Sequence, residues 1–162
     1  MSMQVPEVEP RSPGIPHELL ASTLFLLARL GHSVKARVLE EFEQQGFGVY
    51  QYGVLAILSE GSSDRQLSIA DALDCDRGQM VGILDDLEER GFIERRRDEN
   101  DRRRHSVSLT SEGRRQLVKL RKVVMSIEDS VLEPLDEQAR KSLHGALLTI
   151  AAHSDPRFAR LN

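Results

Sequence analysis

The chain has 162 residues, 40% of them hydrophobic and 30% charged, which suits one folded domain of ordinary size and excludes a disordered chain. No apolar run is long enough to cross a bilayer, and a single cysteine excludes an internal disulfide or a CxxC metal pair. The formal net charge of -4 argues against blanket affinity for nucleic acid, so any such affinity has to come from a local cluster.

The first stretch, "MSMQVPEVEPRSPGIP", is Pro-rich and polar and lacks the basic and apolar segments of a signal peptide. Residues 1–16 therefore read as a flexible arm on a cytoplasmic protein. From His17 to about Gln45, Leu20, Leu24, Leu27, Gly31, Val34, Val38 and Phe42 recur at spacings of three and four, the pattern of one long amphipathic helix. "GFG" breaks it, and a shorter helix to about Glu60 follows with Tyr52, Leu55 and Leu58 on one side. After the turn "EGSSDRQ", Ser68 with Asp71 three residues on reads as a capping box opening a short helix.

Asp76 with Gln79 reads as a second capping box, opening a helix that ends at Arg90 with Gly91 just beyond the C-cap. Met80, Ile83, Leu84 and Leu87 form its buried stripe. "FIERR" and "HSVSLT" read as strands of a hairpin whose tip is "RDENDRR". Thr110 caps the next helix, where Leu117, Leu120, Val124, Ile127 and Val131 make a heptad-like seam that Pro134 ends. A last helix from about Glu137 carries Ala139, Leu143, Leu147 and Ile150.

The expected fold class is mainly α with a small β-hairpin wing: a winged helix-turn-helix flanked by N- and C-terminal dimerisation helices. The domains are an arm at 1–16, an N-terminal dimerisation helix at 17–46, a DNA-binding winged helix-turn-helix at 47–110, and C-terminal dimerisation helices at 111–162. Apolar seams at both ends of the chain point to a partner, most simply a two-fold homodimer.

Two runs of arginine, Arg95 to Arg97 and Arg102 to Arg104, flank "DEND" in the hairpin. Arginine on a narrow wing suits the minor groove of duplex DNA, and an aspartate two residues before an arginine can hold its guanidinium in one direction. The capped helix has a neutral to basic first half (Arg77, Gly78, Gln79, Val81, Gly82) and an acidic second half (Asp85, Asp86, Glu88, Glu89), so a polyanion would meet its N-terminal end. Arg77 and Gln79 match guanine and adenine edges, Val81 a thymine methyl, and the free N–H groups of that end suit phosphate. Gly82 in mid-helix costs about 1 kcal/mol against alanine, and close approach of the helix backbone to a groove would explain it.

The segment "LSIADALDCDRGQMVGILDDLEERGFIERRRDENDRRRHSVSLTSEGRRQL" resembles the core signature of the MarR family of bacterial transcriptional regulators. The carrying pieces are the L-x-x-L-E-E-R-G-F-I-E-R run, the D-x-N-D-R-R wing and the L-T-x-E-G start of the next helix. The resemblance covers about residues 17–153 in architecture and 67–117 in motif. It implies a homodimer on a pseudo-palindromic double-stranded operator, usually a repressor, often released by a small molecule. It places the minor-groove arginine at Arg103, its orienting carboxylate at Asp101, and base reading at Arg77 to Gly82. Arg95 to Arg97 and Arg102 are then mostly phosphate contacts or supports of the hairpin, and Arg104 belongs to the same DNA-binding wing. The chain departs from the family pattern at Gly78 and Gly82, commonly polar or basic, at Asp86, where arginine is frequent, and at Gly48, where a Ser or Thr cap is usual.

Some family members sense oxidants through an N-terminal cysteine, whereas Cys75 lies in the turn of the helix-turn-helix and reads as a small buried hydrophobe. His32, Tyr50 and Tyr52 are the candidates to border an effector pocket for a small phenolic or anionic molecule. The five histidines include no i, i+4 pair, and no phosphate loop, HExxH or nucleophile motif is present, so no metal, cofactor or catalytic residue is assigned. The alternatives to an operator-binding regulator are a winged-helix adaptor for an acidic protein surface and a redox-sensing regulator using Cys75.

Overall fold

The computed structural model describes residues 14–61, 66–97 and 105–161. The chain divides into two compact units, Met1–Ala36 and Arg37–Asn162. The division falls inside a helix, eight residues short of that helix's last, Gln44.

In the first unit the expected single helix is interrupted. Helix α1 spans His17–Leu20, and α2 spans Thr23–Gln44. Between them Ser22 Oγ accepts the Phe25 N–H at 3.2 Å, the bond of an N-cap residue to the third helical position. That local acceptor stops the ladder although the apolar spacing runs on across it. Leu20, Leu24, Leu27 and Leu30 are all exposed in this unit.

The second unit follows the expected order. Gly46, with φ +67°, ends α2, and α3 covers Val49–Ser59. Gly48 supplies no side-chain cap to α3, but its N–H donates to Gln51 Oε1 at 2.6 Å, so the return half of a capping box survives. Helix α4 covers Gln66–Ala72. It is already helical two residues before Ser68, so Ser68 lies inside the helix and not at the N-cap position. Helix α4 ends in a six-to-one, five-to-two turn: Cys75 N–H donates to Ala70 O (3.0 Å) and Asp74 N–H to Asp71 O (3.4 Å). Asp74 takes the left-handed conformation, φ +49°, where a glycine is commoner.

Helix α5 covers Arg77–Glu89 and closes the helix-turn-helix. Asp76 caps it, with Oδ1 accepting from Gly78 N–H (2.8 Å) and Gln79 N–H (3.2 Å). The other half of the expected capping box is not formed, because Gln79 Oε1 faces the Cys75 thiol at 3.5 Å. Cys75 is half-buried against the core, less enclosed than the sequence suggested. Gly91 (φ +73°) ends α5 as expected, with Phe92 N–H on Leu87 O at 2.9 Å.

Strands β1 (Ile93–Arg97) and β2 (His105–Leu109) pair antiparallel, from Ile93 opposite Leu109 to Arg97 opposite His105. Thr110 caps α6 (Ser111–Val131), accepting from Gly113 N–H at 3.0 Å while its hydroxyl donates to Gly91 O at 2.7 Å. Helix α7 (Glu137–Ser154) is capped by Asp136 and followed by a short 3-10 helix, Pro156–Leu161, that the periodicity did not foretell. There Arg157 bonds Asp155 and the Asp71 carbonyl, and it holds the Asp155 carboxyl below the usual carboxylate range.

The core of this unit joins Phe42, Val54, Leu55, Ile69, Met80, Leu84 and Leu87 with Ile93, Leu109, Leu117 and Leu120. The first half of the α6 stripe, read as part of an intersubunit seam, is thus buried inside its own chain. On α7, by contrast, Leu143, Leu147 and Ile150 stay exposed.

Candidate nucleic-acid interface

Helix α5 turns Met80, Leu84 and Leu87 inward, and this fixes which residues face out. Arg77, Gly78, Gln79, Val81 and Gly82 are all exposed. Val81 is 46% exposed, so its side chain is open to a partner on the outward face. A Cβ on Gly82 would meet nothing within 4 Å, so no internal packing demands glycine there. The expected phosphate site at the helix start is weaker than the sequence suggested. Asp76 occupies two of the N–H groups and adds a negative charge beside them.

The acidic half of α5 is not left bare. Arg95 Nη1 lies 2.6 Å from Asp85 Oδ1 and 3.3 Å from Glu88 Oε2, and the Arg95 N–H donates to Glu88 Oε1 at 3.2 Å. The Arg95 side chain is only 18% exposed. Side chains alternate along a strand, so Arg95 shares the face of Ile93, which is buried. Arg96 points the other way, is open to solvent, and pairs with Glu94 at 3.1 Å. Asp86, the departure from the family pattern, accepts from Gln51 Nε2 at 2.6 Å and from Arg90 Nη1 at 3.2 Å.

The backbone of Arg97 pairs with His105 at the outer end of the hairpin. Asp101, Arg102, Arg103 and Arg104 lie outside the described residues, as does the side chain of Arg97. The candidate interface therefore brings together the exposed first half of α5 and a hairpin whose strands lead to the arginine-rich tip. The sequence groups Arg95 with the wing arginines, whereas the structure sets it against Asp85 and Glu88, and Gln51 and Arg90, not singled out in the sequence, meet Asp86. The two-residue offset of Arg95 from Ile93 carried the signal for the first. For Arg90 it was the four-residue offset from Asp86 along one helix face.

The candidate effector residues are not drawn into one described cavity. His32 is exposed in the first unit. In the second unit Tyr52 packs edge-on against Phe42, centroids 5.4 Å apart at 65°, while Tyr50 is exposed. A groove of about 520 Å³ between α6 and α7 is lined by Met125, Leu132, Leu143, His144 and Leu147, and by none of the three.

The MarR family model matches residues 50–105, from the second residue of α3 to the first residue of β2. The chain is 31% identical over 96 residues to the putative transcriptional regulatory protein for the hcr operon of Thauera aromatica. That match covers 59% of this chain and 58% of the relative, less than two thirds of its length. A solved structure of the transcriptional repressor CouR bound to a 23-mer DNA duplex superposes with a TM-score of 0.73 at 33% identity, covering 86% of this chain and 99% of that one. CouR from Rhodococcus jostii RHA1 bound to p-coumaroyl-CoA superposes with a TM-score of 0.68 at 30% identity, covering 84% and 96%.

Proposed function

The chain belongs to the MarR family of transcriptional regulators, and from that premise we propose that it is a repressor that binds a pseudo-palindromic operator as a homodimer. The observation that carries this reading is the outward face of α5. Arg77, Gln79, Val81 and Gly82 stand exposed on its first two turns. Three of the four carboxylates of its far end, Asp85, Asp86 and Glu88, are engaged by Arg95 and Arg90. A helix so arranged enters a major groove by its N-terminal half, with Arg77 and Gln79 on base edges and Val81 against a thymine methyl. An open Gly82 lets the helix backbone come close to the base pairs. Base readout by so few polar side chains is thin, which gives phosphate and minor-groove contacts of the wing a larger share of the affinity.

In the wing, Arg103 enters the minor groove and Asp101 orients it. Arg96, Arg97, Arg102 and Arg104 contact phosphate or brace the hairpin. Arg95 supports the recognition helix and does not touch DNA, as its two carboxylate partners favour. The exposed stripes of α7 and of the first unit support self-association. A small phenolic or anionic effector releases the operator; the p-coumaroyl-CoA bound by the CouR relative supports that chemical class.

The wing variants test this reading. Arg103→Ala should weaken operator binding by about 1–3 kcal/mol per site and flatten its salt dependence, since fewer counterions are released. Asp101→Ala should also weaken binding, although it removes a negative charge. Charge counting alone predicts the opposite sign. Titrating a labelled operator with each variant at two salt concentrations decides between them, and an unchanged affinity for Arg103→Ala would return the wing to an ordinary solvated hairpin.

A further inference from the structure

We infer that Asp86 is a positioning residue for DNA reading: through Gln51 and Arg90 it fixes the far end of α5 to the joint between α2 and α3, and so aims the exposed end. The inference rests on the operator-binding reading above and adds the device that sets the helix's direction.

Asp86 Oδ2 receives two donors from different elements, Gln51 Nε2 of α3 at 2.6 Å and Arg90 Nη1 of the α5 C-cap at 3.2 Å. Each donor is tied in turn to the joint. Gln51 Oε1 accepts the Gly48 N–H at 2.6 Å, and Arg90 Nη2 donates to Gly46 O at 3.1 Å. The Arg90 guanidinium also lies 4.2 Å from the Phe47 ring centroid and 5.1 Å from that of Phe92, two rings themselves 5.2 Å apart. Gly46, Phe47 and Gly48 are thus each held by this one cluster. A charged carboxylate accepting from two fixed donors makes stronger and more directional bonds than a neutral group would.

Leverage makes this matter for DNA. Nine residues separate Asp86 from Arg77, about 13 Å along the helix axis. A tilt of roughly 10° at the Asp86 end would therefore move the base-reading end by about 2 Å. The whole range of good hydrogen-bond lengths spans only about 0.5 Å. Contacts with phosphate are less exacting than paired contacts with base edges. Loss of the cluster should then erode discrimination between sequences more than it erodes binding as such.

The probe is the duplex that the wild-type protein enriches from a random-sequence pool, measured against a scrambled duplex of the same composition. Asp86→Arg places a cation on the recognition helix and breaks the cluster. Binding to the scrambled duplex should strengthen, binding to the enriched duplex should weaken, and their ratio should fall by about tenfold or more, the size of a mismatch in the site. Gln51→Leu changes no charge and lies off the recognition helix, so it covers the case in which Asp86→Arg fails to fold. It should lower the ratio by about threefold or more with a near-normal affinity for scrambled DNA. If the wild type enriches a duplex and both folded variants keep its ratio, Asp86 is not a positioning residue. If the wild type enriches nothing, the failure lies with operator binding itself, and the inference falls with it.

Discussion

Replacing Gly113 with alanine should cost the Arg37–Asn162 unit at least about 3 kcal/mol, at the upper end of overpacking effects and enough to unfold a marginal domain. Gly113 is buried in the first turn of α6, where its N–H meets the Thr110 hydroxyl. A Cβ there would stand 1.9 Å from the Phe92 carbonyl oxygen and 2.9 Å from its carbon. Those are backbone atoms and cannot rotate away. The same carbonyl accepts the Thr110 N–H at 3.1 Å, so moving it also breaks the link between the wing base and α6. Gly145 on α7 is the control, since a Cβ there meets nothing within 4 Å. Gly145→Ala should stabilise by about 0.5–1 kcal/mol through helix propensity. Urea unfolding of the two variants checks this, and a Gly113→Ala midpoint equal to that of wild type would contradict it.

The second large effect concerns self-association. Leu24 in the first unit is 78% exposed, and Leu147 on α7 is 42% exposed. Within each unit the exposed aliphatic side chains recur along one helix, Leu24 and Leu27 on α2 in the first and Leu143, Leu147 and Ile150 on α7 in the second, and stripes of this kind suit an intersubunit surface. If these stripes are covered by a second copy, Leu147→Glu would bury a carboxylate in the α7 contact, and Leu24→Glu would do the same in the contact made by the first unit. Each should cost roughly 2–4 kcal/mol of association, raising the dimer dissociation constant about 30- to 1000-fold. A two-half-site operator would then lose affinity as well, because one protomer reaches only one half-site. Sedimentation at micromolar concentration reads the result directly. A wild-type protein that sediments as a folded monomer there would remove the dimer from the account.

Much of the second unit was legible in the sequence, for reasons that can be named. Met80, Leu84 and Leu87 at helical spacing define the inner face of α5, and with Asp76 before it and Gly91 after it the helix had both ends marked. Val107 and Leu109 alternate with serines, so β2 was readable from period alone. The break at Ser22 was not, because the leucines on either side continue one apolar pattern and periodicity cannot see a cap inside it. The α6 stripe was read correctly as apolar but not as to what covers it, since spacing says nothing about whether the cover is the same chain. A run of arginines invites reading as one charge cluster, whereas strand alternation sends neighbours to opposite faces, Arg95 to Asp85 and Glu88 and Arg96 to solvent. Asp86 stood out in the sequence only as a departure from the family pattern. Its meaning depends on Gln51, 35 residues away in sequence, and on a turn carbonyl at Gly46, and no local pattern encodes such partners.

Selection from a random-sequence duplex pool, followed by titration of the enriched duplex at two salt concentrations, decides whether the chain reads an operator. The enriched duplex should be an inverted repeat with half-site centres about 10 bp apart, or a multiple of that spacing. It should carry two protomers and be preferred over scrambled DNA by about a thousandfold or more at physiological salt. Affinity should fall steeply as salt rises, with a slope set by the phosphates that the wing neutralises. A pool that shows no enrichment, or an enriched duplex bound no better than its scrambled counterpart, would contradict operator reading.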